Sequence, residues 1–274
     1  MAIRPLLTPA LAALALLVAG CSATDPSGSG ATSPTAAPSS SSPASSTPPS
    51  STPASSTPSS SAAASSAPST SRPDGVSRTE AGRALLRATR DGDRAGVRAA
   101  IADGADLEVR GDARRTPLII ATRANEIDIA RTLLKHGADP DAKDAIEDSA
   151  FLYAGAEGLD EILRATIEHG ADVDSLNRYG GTALIPAGEH AHLSTMRILI
   201  DAGVPLDHVN DLGWTALHET IVLGDGSQRH VRAARMLLEA GADPELPDRH
   251  GTSPRRLAET RGFTEIVRVI DEYR

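Results

Sequence analysis

One spacing constrains this chain more than any other feature. Gly104-Ala105-Asp106 returns as Gly137-Ala138-Asp139, Gly170-Ala171-Asp172, Gly203-Val204-Pro205 and Gly241-Ala242-Asp243, at steps of 33, 33, 33 and 38 residues. A second marker keeps the same beat: Thr116-Pro117-Leu118, Ser149-Ala150-Phe151, Thr182-Ala183-Leu184, Thr215-Ala216-Leu217 and Ser253-Pro254. Two markers held in phase over five registers mean stacked copies of one unit, each borrowing its neighbours' surfaces to complete a core.

The local chemistry says what that unit is. Thr or Ser before Pro or Ala is a helix N-cap, and Pro at the first helical position sacrifices no hydrogen bond. The Leu or Phe that follows opens a short inner helix. A second helix carries a buried stripe, such as Ile127, Ile129, Ala130, Leu133 and Leu134. Gly137 and its equivalents supply the left-handed residue that ends that helix. The stretches rich in Asp, Asn and Gly that follow suit a tight β-turn finger leading into the next cap.

A period near 33 with T-P-L at one phase and G-A-D at another resembles the ankyrin repeat. The resemblance implies an all-α solenoid of helix-turn-helix units with β-turn fingers, here preceded by a disordered tether. Six units cover residues 77–274. The first, Ser77 to Arg110, has Arg83 and Ala84 where Thr and Pro would stand, as suits a terminal cap. Units two (Gly111 to Lys143) and three (Asp144 to Leu176) are regular. Units four (Asn177 to Val209) and five (Asn210 to Pro247) depart from the pattern. Unit six (Asp248 to Arg274) closes the stack with Arg255 and Arg256 on a solvated side.

Composition divides the chain sharply. Residues 22–72 are almost wholly Ser, Thr, Pro, Ala and Gly, with Asp25 and Arg72 the only charges. The whole chain has 27 Lys and Arg against 36 Asp and Glu; setting aside Arg4, Arg72 and Asp25 leaves 25 against 35, a net of −10. An acidic repeat region excludes nucleic acid as the main partner, because phosphate binding needs a basic face. Cys21 is the single cysteine, so no intramolecular disulfide forms and the repeats hold by packing alone.

The first twenty residues read as a targeting segment. Arg4 gives a short positive region, and Leu11 to Val18 an apolar run too short to span a bilayer. The run ends in Val18-Ala19-Gly20-Cys21, which resembles a bacterial lipoprotein processing site. That resemblance implies cleavage before Cys21 and lipidation of its thiol, hence membrane anchoring outside the cytoplasm. Residues 22–72 then form a tether with no large side chains to bury. Its 51 residues span about 40 Å as a flexible coil and about 160 Å if drawn out by proline.

Ankyrin-like stacks bind through finger tips and the concave surface of the inner helices, and the family offers no catalytic residues. Finger positions include Arg115, Ile146, Arg178, Tyr179, Leu212, Trp214 and His250. Inner-helix positions include Ile120, Tyr153, Glu157, Glu189, His190 and Glu219. Aromatic residues and arginine are enriched where interfaces carry their energy, so Arg115, Tyr153, Arg178, Tyr179, His190, Leu212, Trp214 and Glu219 are the candidate partner-binding residues. Tyr153 and Trp214 could equally brace neighbouring fingers.

Units four and five hold the least generic chemistry. Their G-G-T-A-L-I-P-A and L-G-W-T-A-L runs resemble a subgroup of bacterial ankyrin proteins. Pro186, near the fourth helical residue, costs a hydrogen bond and is expected to bend its helix. Five extra residues, about Asp225 to Arg229, are expected between the helices of unit five. Tyr179, His190, Trp214, Glu219 and that loop are expected to flank one patch.

Glu189, His190, His192, His208, His218 and His230 raise the question of zinc. His190 and His192 are two apart, a step of about 200° on a helix, and so would not face one ion there. His218 matches a structural histidine of the family. No metal or cofactor is expected. G-x-S-x-G, phosphate-loop and H-E-x-x-H patterns are absent from the sequence, so catalysis is not expected. The sequence thus points to a monomeric, lipid-anchored module that binds a protein or peptide in the cell envelope. The alternative is a ligand-binding or protective accessory protein with a small-molecule or metal pocket in units four and five.

Overall fold

The computed structural model describes residues 77–274; the expected leader, Cys21 and the tether lie outside them. The described residues contain no β-strand, and twelve α-helices follow one another as six hairpins. Unit one contributes α1 (Arg78–Arg90) and α2 (Arg94–Ala102), and unit two α3 (Pro117–Arg123) and α4 (Ile127–Lys135). Unit three has α5 (Ala150–Glu157) and α6 (Asp160–Glu168), and unit four α7 (Leu184–Glu189) and α8 (Leu193–Asp201). Unit five has α9 (Ala216–Val222) and α10 (Gln228–Glu239), and unit six α11 (Pro254–Thr260) and α12 (Thr264–Asp271). The odd helices pack in one row and the even helices in another, each touching its neighbour in the next unit.

The caps form as the sequence dictates. Thr116 and Ser149 each accept from the backbone amide three residues on, at 3.2 Å. Thr215 and Ser253 do the same over 3.4 Å. Behind them the core is continuous: Leu118, Leu133, Phe151, Leu163, Leu184, Met196, Leu217 and Leu237 are all buried. Removing such apolar surface from water is the main stabilising term.

The five Gly residues of the repeated marker sit at φ between 82° and 105°, yet a Cβ there would meet nothing within 4 Å. Their conformation alone calls for glycine. The aspartates beside them hold turns: Asp106, Asp139, Asp172 and Asp243 each accept from the amide two residues later, at 2.8–3.0 Å. These side chains therefore serve the backbone.

Three departures from regularity have local causes. In unit one, α1 starts from a capping box between Ser77 and Glu80 and runs 13 residues. Arg83 and Ala84 consequently lie inside this helix rather than at its cap. In unit four, Pro186 has no N–H to offer Thr182 O, which instead accepts from Ile185 N–H at 3.2 Å. The helix begins two residues after Thr182, and the Thr182 hydroxyl is buried without a partner. Pro186 thus acts by delaying and tightening the start of α7, where a bend was expected. In unit five the extra residues divide between two elements. The turn spans Leu223 to Ser227, and Gln228 and Arg229 open α10, which has 12 residues against nine in α4, α6 and α8.

The inner row packs closely where glycine permits. A Cβ on Gly155 would lie 2.7 Å from the Ala183 methyl, and one on Gly188 would lie 2.8 Å from Thr220 Oγ1 and 3.0 Å from Ala216 O. Helices α5, α7 and α9 therefore approach almost backbone to backbone. Among the described residues no helix is long and apolar enough to cross a membrane.

Candidate functional site

Four of the five fingers are built on one Asp or Asn, and the finger of unit two has Gly111 there. Asp144 Oδ1 accepts from the Ile146 and Asp148 amides at 2.9 and 3.1 Å. Asn177 Oδ1 does so for Tyr179 and Gly181, Asn210 Oδ1 for Leu212 and Trp214, and Asp248 Oδ1 for His250 and Thr252. The third residue of each finger points outward as a result. Ile146, Tyr179 and Leu212 occupy that position in units three, four and five, at 43%, 52% and 37% exposure. They are three of the five large apolar side chains exposed among the described residues. The fingers are tied to one another: Ala145 N–H donates to Ala113 O at 2.8 Å, and Asp211 N–H to Tyr179 O at 2.9 Å.

Arginine and aromatic side chains fill the angle between fingers and inner helices. The Arg123 guanidinium lies 4.2 Å over the Tyr153 ring, and that of Arg178 lies 4.6 Å over Tyr179. Asp148 sits between the two arginines, 3.5 Å from Arg178 and 3.9 Å from Arg123. Burial pushes the Asp148 carboxyl up, against the pull of Arg178 and the weaker pulls of Arg123 and Arg115. Arg115 reaches Asp144 at 3.4 Å. Four of the expected residues, Arg115, Tyr153, Arg178 and Tyr179, thus share one network across units two to four. Asp148, Asp144 and Arg123 complete it, and sequence reasoning missed all three. Arg123 was legible in principle, as the last residue of a helix at the spacing of the exposed stripe.

Trp214 and Glu219 belong to a second centre, joined by Asn210. Trp214 donates its backbone N–H to Asn210 Oδ1, while Asn210 Nδ2 donates to Glu219 Oε1 at 2.8 Å. The Trp214 side chain is half-buried. Glu219 is only 6% exposed. Its carboxyl is pushed up to about 7, first by burial and then by Glu189, with the Asn210 bond pulling the other way. His218 is fully buried, with Nδ1 2.8 Å from Thr215 Oγ1, and burial pushes its imidazole down. Tyr179 and Trp214 fall in different centres, linked through the backbone bond between their fingers.

His190 is exposed and caps the C-terminus of α7. The helical-step argument about His190 and His192 does not apply, because both lie in the α7–α8 turn, where Ala191 has a positive φ of 48°. Their ring centroids are 5.6 Å apart. Burial and the neighbouring His190 push the His192 imidazole down. No group of three or more His, Cys, Asp or Glu is placed to hold a metal among the described residues.

The unit-five turn is bolted to unit four. His230 places Nδ1 2.7 Å from Asp225 Oδ1 and Nε2 2.9 Å from Glu189 O. Arg229 Nε donates to Ala191 O at 2.8 Å. A Cβ on Gly226 would lie 2.4 Å from the Phe263 ring, so the turn also packs on unit six. This segment is a brace across three units. Elsewhere on the inner row, an open hollow of about 310 Å³ lies between units one and two. Arg90, Asp112, Arg115, Ile120, Arg123 and Ala124 line it.

A family model described as ankyrin repeats, in three copies, matches residues 70–144 and 151–270. An ankyrin repeat domain from Acinetobacter baumannii AYE is 46% identical, with a TM-score of 0.68, over 69% of this chain and 96% of that one. Another solved ankyrin repeat protein is 37% identical, with a TM-score of 0.69, over 70% of this chain and 98% of its own. Among curated relatives, the ankyrin repeat protein YahD of Escherichia coli (strain K12) is 44% identical over 54 residues. That alignment covers 20% of this chain and 27% of the relative.

Proposed function

Because this chain belongs to the ankyrin repeat family, whose domains are in general protein-binding modules, we propose that it is a non-catalytic binding module for a protein or peptide of the cell envelope. In this reading the leader is removed, Cys21 carries lipid, and residues 22–72 hold the repeats away from the membrane. Two acyl chains give stable anchoring where one is marginal.

One observation carries the binding half of the reading. Ile146, Tyr179 and Leu212 occupy the same position in three consecutive fingers, exposed, and Tyr179 itself stacks under Arg178. Packing within the stack gives no reason for an apolar row facing water, whereas interfaces concentrate such side chains. The partner residues proposed are Arg115, Tyr153, Arg178, Tyr179, His190, Leu212, Trp214 and Glu219.

Cross-linking on intact cells followed by mass spectrometry tests it. The native chain should yield one reproducible adduct, which the Tyr179→Ala/Trp214→Ala chain loses while keeping its helical circular dichroism. An adduct that survives both substitutions contradicts the assignment. For the anchor, a fatty-acid label should enter the native chain and not Cys21→Ser; equal labelling of both sinks it.

A further inference from the structure

Residues one repeat apart on the inner helices form rows across the units, and two rows lie beside the fingers. Unit one contributes Arg87 and Arg90, both exposed, and unit two Ile120 and Arg123, both half-buried. Unit three contributes Tyr153 and Ala156 at the middle. Unit four then brings Pro186 and Glu189, both half-buried, and unit five the buried Glu219 and the half-buried Val222. Charge therefore changes sign along the face: arginine at one end, an aromatic and small residues at the centre, and the Glu189 carboxylate at the other. The domain is acidic overall, so the basic end runs against its average.

Arg123 is engaged by Asp148 at 3.9 Å and by the Tyr153 ring, so Arg87, Arg90 and Glu189 carry this polarity. Among the described residues, no Arg, Lys or His nitrogen lies within 4.0 Å of a carboxylate oxygen of Glu189 or Glu219, and no acid within that distance of Arg87. Arg90 meets Asp112 at 3.1 Å, but both side chains are more than half exposed, and such pairs contribute only about 0–1 kcal/mol. The finger charges neutralise one another through Arg115–Asp144 and Arg178–Asp148. A row nearer the turns, including Asp91, Glu157, His190 and Arg261, mixes both signs and so sets no direction.

We propose that this face binds an extended peptide whose charges run the opposite way. Its acidic side chains lie over units one and two, a short apolar stretch over Tyr153, and basic side chains over Glu189. Neighbouring helices pack about 8–10 Å apart, so units one to five offer about 32–40 Å. At about 3.3 Å per residue that length takes ten to twelve residues of extended chain. Charge complementarity of this kind selects partner and direction more than it adds affinity. The inference rests on the peptide-binding reading and adds to it the chemistry of the partner.

Selection of a displayed library of random twelve-residue peptides on the full chain tests it. Enriched peptides should carry Asp or Glu in one half and Lys or Arg in the other, always in the same order. Arg87→Glu/Arg90→Glu should weaken them by about tenfold or more and remove the acidic-half preference. Glu189→Lys should instead remove the basic-half preference. Enriched peptides without charge order, or indifferent to both reversals, overturn the polarity and leave peptide binding standing. Failure to enrich any peptide above the bare matrix overturns the polarity together with the reading beneath it.

Discussion

Units two and three differ from units four and five in how neighbours are joined. In the first pair the bonds repeat with the sequence. Arg110 donates to Lys143 O and Lys143 to Leu176 O; Glu108 accepts from Asp139 N–H and Asp141 from Asp172 N–H. In the second pair this regularity is interrupted, and it resumes only where Asp207 accepts from Asp243 N–H at 3.0 Å. Pro205 stands where the next amide should be, so it has no N–H to give Asp174. Single-use contacts are added between units four and five: His230 to Glu189 O at 2.9 Å and Arg229 to Ala191 O at 2.8 Å. A repeat that only has to stack can be copied. The irregular pair also carries a buried carboxyl, a delayed helix and a pinned turn, none of which stacking requires.

The largest test of this contrast strikes the regular half. Phe151→Ala empties a fully buried site in α5 and should cost about 3–5 kcal/mol in chemical denaturation. If the loss is much smaller, the regular units are not the packed reference they are taken to be.

Next comes Glu219, whose folded carboxyl titrates at about 7 against an ordinary value of 4.5. Because the folded value is the higher one, ionisation destabilises the fold. The cost is absent below pH 4.5, grows as pH rises, and is complete above about 7. A shift of this size corresponds to about 3 kcal/mol. Glu219→Gln should therefore be more stable than the native chain at pH 8 by up to that amount, with the gap closing towards pH 4.5. Denaturation midpoints that differ equally at both pH values would break the account of Glu219.

Gly188→Ala should cost about 1–3 kcal/mol, since its methyl would overpack against Thr220 and Ala216. Thermal unfolding measures it, and a neutral result would mean that α7 and α9 part easily. The smallest effect gives the sharpest contrast. Thr116→Ala removes a working cap and should cost about 1 kcal/mol, whereas Thr182→Ala removes a buried hydroxyl with no partner and should cost almost nothing or stabilise. Equal losses would mean that Pro186 has not displaced the cap of unit four.

How much was legible follows from the same contrast. The period, the caps and the helix-ending glycines follow from residue type at fixed spacing, so the hairpins could be placed from sequence. The fate of Pro186 could not, because it depends on which amide Thr182 O accepts from once Pro186 offers none. Nor could the division of the five extra residues between turn and helix, which Asp225, His230 and Phe263 settle through contacts in three units. Tyr153 and Tyr179 were legible as candidate aromatics of the binding face, and the structure leaves Tyr153 half-buried and Tyr179 exposed. Their partners Arg123 and Asp148 were missed because each is ordinary in its own unit and gains meaning only from the next. Asn210 was likewise hidden, since a finger-building Asn gives no sign that its amide nitrogen will hold a buried Glu219.

The central claim is that contact with a partner is made through the finger tips and inner-helix face. The most direct measurement is a positional scan with a photo-crosslinking amino acid on intact cells. Probes at 146, 179 and 212 should all give the same adduct, while probes at Arg131, Lys135 and Arg164, exposed on the outer helices, should give none. Adducts confined to the outer positions would contradict the account.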